Sequence, residues 1–379
     1  LNGIDHRVND TGATITAGAN CSTVDSNTVD CSGVTAITVN ADDNGDTVTV
    51  SVATDSTLNG GTGDDKLYGS GGADTLNGDA GNDWLTGGTG ADALNGGAGT
   101  LDYAWYTTRT NAVTADIDGV ADDGESGEND NVGTDVESIF GGSGNDTLTG
   151  DGSDETFIGC DGNDTLNGGA GDDALWNGNG FICVGGGSDT FDGGTGADTF
   201  NGVDGIETVT YASRSATVTA DNDGTADDGE SGETDNVATD VEGIAGGSAA
   251  DTLTGGSTAN TLTGNGGNDT LWGMDGSDTL DGGSGDDTIY ADNVTGTGND
   301  TLDGGTGADE LYGGAGTDTV DYSSRTGAVT VNLLEAWGGE AGERDTLAGI
   351  KIAMGGQVND TLIGDLDANT FYGGAGNDT

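Results

Sequence analysis

The amino-acid sequence predicts an all-β protein, a parallel β-roll or β-solenoid carrying short β insertions, and three observations support that prediction. A nine-residue unit of the form GGxGxDxUx, with U a large apolar residue, recurs along most of the 379 residues. The last three places of each unit alternate polar, apolar, polar, the period of a very short half-buried strand. Glycine supplies 78 residues and proline none. That excludes collagen, which needs glycine at every third place together with proline, and it departs from an ordinary globular chain.

The copies agree at five places: GGTGADALN from Gly87, GGSGNDTLT from Gly141, GGAGDDALW from Gly168, GGTGADTFN from Gly193, GGSGDDTIY from Gly282, GGTGADELY from Gly304 and GGAGTDTVD from Gly313. Glycine tolerates positive φ and close backbone approach, so GGxG builds a tight turn whose carbonyl oxygens can point inward. The aspartate adds a hard anionic oxygen, and carboxylates with carbonyls are the six to eight oxygens that calcium takes. Two units then make one turn of a solenoid, loop, strand, loop, strand, with the apolar place filling a thin core. Each ion lies between the loops of successive turns on one edge.

Energetics require the ion. One buried Leu per unit contributes roughly 2 kcal/mol, whereas fixing nine backbones costs about 1 to 2 kcal/mol each. Stacked aspartates repel by about 4 kcal/mol for a pair at 4 Å and an effective dielectric near 20. A divalent cation between them turns repulsion into cross-linking, so folding and calcium binding are expected to be one event.

These units resemble the calcium-binding nonapeptide repeat of the RTX (repeats-in-toxin) family, and the resemblance implies multiple Ca2+ ions held by the aspartate of each unit. The first array, from Gly60, offers Asp65, Asp74, Asp83 and Asp92 over Leu67, Leu76, Leu85 and Leu94. The second, from Gly141, offers Asp146, Asp164, Asp173, Asp189 and Asp198. A third, from Gly246, offers Asp251, Asp269, Asp278, Asp287, Asp300, Asp309 and Asp318, and a last array from Gly355 gives Asp360 and Asp378. Asn260, Asn369 and Glu155 stand where the aspartate is expected, and weaker or missing ions are expected there. The aspartate count suggests on the order of ten to twenty ions with shared ligation.

A longer repeat separates the arrays. The stretch from Asp102 (DYAWYTTRTNAVTADIDGVADDGESGEND) matches that from Thr210 (TYASRSATVTADNDGTADDGESGETD) and, more loosely, that from Asp321. Five segments follow: 1–57, β-rich N-terminal coils with a cysteine pair; 58–140, 141–245 and 246–354, each an array plus insertion; and 355–379, the start of a further array. Stacked cassettes of this kind are quasi-one-dimensional. Arg109, Arg214 and Arg325 fall at one equivalent place and are expected to be buried against a local carboxylate that anchors each insertion, the other reading being a ligand contact. The acidic loops at Asp122 and Asp227 are either an extra calcium site or a solvated face.

Lysine and arginine total 7 against 68 aspartates and glutamates, a formal net charge of -61. Phosphates would be repelled, which argues against nucleic acid, and anionic membranes equally. No apolar run is long enough for a membrane span. The chain starts without Met or an apolar leader, as expected of a processed product or an excerpt. Cys21, Cys31, Cys160 and Cys183 allow three pairings, of which Cys21 with Cys31 and Cys160 with Cys183 are expected. Oxidised thiols and millimolar calcium both point to an extracellular or cell-surface location. Cysteine departs from many RTX proteins, which leave the cell unfolded, and that bears on the export route. His6 is the sole histidine, so no zinc-protease motif or serine triad can be assembled and no enzyme is expected. The Asn-x-Thr triplets, Asn145 and Asn163 among them, are mostly the NDT of the loop, where a glycan would clash.

Joined, the two ends read GGAGNDTLNG across Thr379 and Leu1, a complete unit. Either the chain is an excerpt of tandem copies, or subunits self-associate head to tail, a contact that builds filaments when it does not close. The leading expectation is a secreted structural protein, a calcium-stiffened filament, surface layer or adhesin stalk. The alternative is a calcium-dependent folding or export module of a larger secreted enzyme or toxin. A third reading, a surface that binds carbohydrate, such as a surface polysaccharide, or ice, is open because threonine frequently precedes the apolar place, and a flat outward row of threonines would support it.

Overall fold

The computed structural model describes residues 6–9, 21–25, 28–31, 35–41, 43–51, 53–178, 182–183, 185–293 and 296–379, with side chains from 35 onward. Every regular element among them is a strand. No helix is long and apolar enough to cross a membrane. The chain divides into two compact units, one reaching Thr195 with Val203–Gly205, the other Gly196–Gly202 with Ile206 onward.

In the first unit, successive strands of a coil add to parallel ladders. Thr47–Val50, Lys66–Tyr68, Trp84–Thr86, Tyr103–Trp105, Ser138–Phe140, Thr156–Ile158 and Ala174–Trp176 form one such ladder. Ile37–Asn40, Ser56–Thr62, Thr75–Ala80, Ala93–Gly97 and Asn131–Val132 form a second. A third starts at Val113–Asp116 and runs through Thr147–Thr149 and Thr165–Asn167 to Thr190–Asp192. The register places Leu58 against Leu76 and Leu76 against Leu94, and Leu67 against Leu85. Each of these leucines is at most 1% exposed, so two facing stacks one residue wide make the core. The flanking residues of each three-residue strand face outward, as period-two alternation demands.

The second unit repeats the plan. Ile244, Leu262, Leu280, Leu302, Val320 and Ala353 stack in one ladder. Ala220, Leu253, Leu271, Ile289, Leu311 and Leu347 stack in the other.

Each insertion is a small antiparallel excursion that hands the chain back to the ladder. Val113–Asp116 pairs with Gly124–Glu125, and Val218–Asp221 with Gly229–Glu230. In the third insertion Thr330–Asn332 pairs with Trp337–Gly338, which in turn pairs with Asp345–Ala348.

The N-terminal stretch differs in part from the coils expected. Ile37–Asn40 and Thr47–Val50 do enter parallel ladders, whereas His6–Asn9 lies antiparallel to Thr47–Val50 and to Thr28–Cys31. The sequence from 6 to 31 contains no GGxG unit of the kind that spaces the parallel coils. Cys21 and Cys31 stand opposite each other in the antiparallel pair Cys21–Asp25 and Thr28–Cys31; their side chains, and the strand expected near Thr14, lie outside the described residues. Cys160 and Cys183 form the expected disulfide. Cys160 belongs to a buried apolar cluster with Phe140 and Ile158, against which Tyr103, Trp105, Trp176 and Cys183 pack partly buried, so the staple closes a second cluster beside the leucine stacks.

Candidate metal centre

The nonapeptide aspartates line the edges of the coils, where the GGxGx turn swings the chain from one strand to the next. Asp65, Asp74, Asp83, Asp92, Asp146, Asp164, Asp173, Asp189, Asp198, Asp251, Asp269, Asp278, Asp287, Asp300, Asp309, Asp318 and Asp360 are all at most 2% exposed, and Asp378 is exposed. Their spacing produces a bonded column. The amide of Asp65 donates to Oδ1 of Asp83 at 2.7 Å and that of Asp74 to Oδ1 of Asp92 at 2.8 Å, each acceptor eighteen residues on. Asp146 and Asp164, Asp251 and Asp269, and Asp360 and Asp378 repeat the bond.

One carboxylate oxygen is therefore committed to the backbone, while the other is left over. Oδ2 of Asp74, Asp83, Asp92, Asp164, Asp189, Asp269, Asp278, Asp287, Asp300, Asp309 and Asp318 is buried without a hydrogen-bond partner. A buried anionic oxygen in that state is costly. Glycine explains where it points. A β-carbon on Gly264 would collide with Oδ2 of Asp269 and with the carbonyl oxygen of Gly282, and one on Gly282 with Oδ2 of Asp287 and the carbonyl of Gly304. A carboxylate oxygen of one loop and a carbonyl oxygen of the next thus converge on the space that the missing side chain leaves. Hard oxygens of these two kinds are the calcium donor set, so the residues present fit the ion.

Electrostatics agree. Burial, opposed by the backbone hydrogen bond and assisted by neighbouring carboxylates, pushes Asp83 up to about 6, Asp269, Asp278 and Asp309 to about 7, and Asp164 to about 8. Glu155, pushed up first by burial and then by Asp173 and Asp151 beside it, rises to about 9. Burial thus favours the protonated form of these carboxylates, and a cation beside them would favour the charged form.

Three of the expected ligands stand apart. Asp146, Asp251 and Asp360 open the arrays after each insertion, and both of their oxygens accept amides. Oδ1 takes Val113, Val218 and Val329, and Oδ2 takes Gly142, Gly247 and Gly356. Their glycines lie outside the positive-φ region that Gly283 (93°) and Gly285 (136°) occupy, and the second glycine of each loop turns its N–H onto Oδ2, while the carbonyl of the next loop, of Gly159, Gly264 or Gly373, still faces that oxygen across the first glycine. Asn260 and Asn369 accept amides from Gly256 and Asp365 in the same style.

Several participants are absent from the GGxGxD pattern. Asp130, Asp235 and Asp345, in the insertions, accept the amides of Asp92, Asp198 and Asp309 at 2.9, 3.0 and 3.1 Å, completing the column across each excursion. Two residues before each is Glu128, Glu233 or Glu343, paired with Arg109 (2.9 Å), Arg214 (3.4 Å) and Arg325 (3.8 Å). The arginines are therefore buried anchors of the insertions, as expected. Three residues before each arginine sits Tyr106, Tyr211 or Tyr322, and Tyr322 donates to Oδ2 of Asp345 at 2.7 Å. The sequence signal is a recurrent YxxR followed by ExD. Asp102 and Glu207 extend the columns too, being buried at equivalent places.

The fifth place of the unit also has a role. Oδ1 of Asn145, Asn163, Asn268 and Asn299 accepts the amide of the matching residue in the next coil at 2.8–3.0 Å, running opposite to the aspartate bonds. In the acidic loops, carboxylate oxygens of Asp116, Asp122 and Asp123 lie within 4.8 Å of one another, as do those of Asp221, Asp227 and Asp228. Asp123 already accepts the amides of Asp116 and Val132, both at 2.7 Å.

The family model of the RTX calcium-binding nonapeptide repeat (4 copies) matches residues 53–85, 68–100, 132–159, 149–181, 184–206, 245–280, 263–293, 294–324 and 353–379, more than half of the chain. Among solved structures, the extracellular lipase LipA from Serratia marcescens is similar at 20% identity and a TM-score of 0.20, over 54% of this chain and 38% of that one. The chain thus spans well under half the length of the lipase. No curated protein matches the sequence.

Proposed function

The chain belongs to the RTX calcium-binding nonapeptide-repeat family, whose repeats bind Ca2+, and from that premise we propose that it is a secreted structural protein in which calcium, held by the column aspartates, cross-links successive coils into a stiff stalk, surface layer or filament. The observation that carries the reading is the stacked pair of oxygens, aspartate Oδ2 with the glycine carbonyl of the next loop, repeated through Asp269 and Asp287. A one-residue-wide core gives each coil little other glue. Placing the ions between coils makes them structural cross-links. Head-to-tail self-association belongs to the same reading. Electron microscopy of the full chain with and without chelator tests it: extended particles are expected in calcium and their loss in EGTA, and extended particles that persist in EGTA would refute it.

One observation favours a second reading, a face that binds an ordered lattice such as surface polysaccharide or ice. Outward threonines stand in register across neighbouring strands: Thr114, Thr147, Thr165 and Thr190 in one unit, Thr219, Thr252, Thr270 and Thr288 in the other. Each carries a hydroxyl and a methyl. Replacing Thr147 and Thr165 by lysine is expected to abolish binding to polysaccharide or ice while leaving the calcium count unchanged, and undiminished binding would eliminate this reading.

A further inference from the structure

The third insertion returns to its ladder with a basic residue where the other two return with an acid. In the first, Ser138 pairs with Tyr103, and the residue before it, Glu137, accepts the amide of Asp102 on Oε2 at 2.7 Å. In the second, Gly243 pairs with Thr208, and Glu242 before it accepts the amide of Glu207 at 3.1 Å. In the third, Ile352 pairs with Thr319, and the residue before it is Lys351. The ladder slips there, Asp318 pairing with Ile350, so Lys351 is the extra residue of the bulge.

Its ammonium group donates to the carbonyl oxygen of Gly316, the fourth-place glycine of the same loop that carries Asp318. Asp318 is fully buried, gives Oδ1 to the amide of Asp300, and leaves Oδ2 without a hydrogen-bond partner. The positive charge of Lys351 acts on that carboxylate. One coil further along, Ile352 pairs with Thr370, so the next edge residue is Asn369, an amide. The column that runs Asp278, Asp300, Asp318 therefore ends in a cation and a neutral group. An ammonium beside a loop carbonyl and a buried carboxylate supplies a positive charge where a metal would otherwise sit, and it repels a second cation.

We infer that Lys351 is a tethered cation that takes the place of calcium between the Asp318 coil and its own, closing that metal column. The inference rests on the calcium reading above. The test is a terbium-soaked crystal of the full chain, located by anomalous scattering, with calcium stoichiometry by native mass spectrometry for wild type and Lys351→Glu. Peaks are expected beside Asp278 and Asp300 and none within ligand distance of the Gly316 carbonyl; Lys351→Glu, which restores the chemistry of Glu137 and Glu242, is expected to bind one ion more. A wild-type peak at the Gly316 carbonyl, or an unchanged count in a folded Lys351→Glu chain, would overturn it. The wild-type map decides the question even where the variant does not fold, and a map without peaks on any column would overturn the calcium reading as well.

Discussion

The backbone amide of Asp65 donates to Oδ1 of Asp83, one full coil away, at 2.7 Å. A single carboxylate thereby serves two masters: one oxygen fixes the register of the coils, and in columns such as that of Asp83 the other is left for a cation.

Chelation is expected to unfold the arrays. In excess EDTA at neutral pH the far-ultraviolet β signal should be lost and should return on adding calcium, because metal affinity and folding free energy are one quantity here. Circular dichroism with a calcium titration checks this, and a β signal indifferent to EDTA would contradict it.

Asp269→Asn and Asp146→Asn should differ in kind. Asp269 has a buried oxygen aimed at the loop carbonyl, so its replacement by asparagine should lower the calcium count by at least one. Asp146 spends both oxygens on the amides of Val113 and Gly142. An asparagine there has one acceptor for two donors and should cost about 1–3 kcal/mol of stability with no change in count. Native mass spectrometry and denaturant unfolding in saturating calcium separate the two.

The metal-free chain should be steadied by acid. Burial raises Asp83 to about 6, Asp269 to about 7 and Asp164 to about 8, while the unfolded chain titrates near 3.9. The folded form then holds more protons than the unfolded across that window. Its stability is greatest below about pH 4 and falls as pH rises through about 6 to 8. In EDTA, β structure should be retained at pH 4 and lost by pH 8, whereas calcium affinity should rise with pH. Circular dichroism across a pH series reads the sign directly.

Gly90→Ala should be far more damaging than Gly152→Ala. Gly90 has φ 143° and its β-carbon would run into the carbonyl of Gly72, whereas nothing lies within 4 Å of one on Gly152. Strain of this kind costs on the order of 1–3 kcal/mol before the clash is counted, and thermal unfolding in calcium should register it at Gly90 alone.

Tyr322→Phe should cost about 1–3 kcal/mol by stranding Oδ2 of Asp345 in a buried place, since the hydroxyl donates to it at 2.7 Å. Calcium-saturated denaturant unfolding is the measurement, and a stability equal to wild type would mean that the bond is not made.

Much of this is legible in the sequence alone. The alternation around Leu67 and Leu85 named the core residues because a three-residue strand offers one inward place, and the aspartate of GGxGxD fell on the edge because the turn leaves it nowhere else. What escaped were the residues whose partners lie a coil away in the opposite sense. Asn145 looked like a free choice in the unit because its bond, to the amide of Asn163, is invisible within nine residues. Asp130 and Asp345 sit outside the repeat altogether and join the columns only because the insertion folds back by a whole coil. The distinct state of Asp146 and Asp251 depends on glycine φ, which an identical GG pair does not disclose.

The eighteen-residue bond from Asp251 to Asp269 recurs unchanged in kind from Asp269 to Asp287. Excising one coil would hand each donor an acceptor of the same type in the same place. Size is thus a free parameter of the design, adjustable in whole-coil increments by duplication or loss of a short coding segment, without any surviving residue having to find a new kind of neighbour.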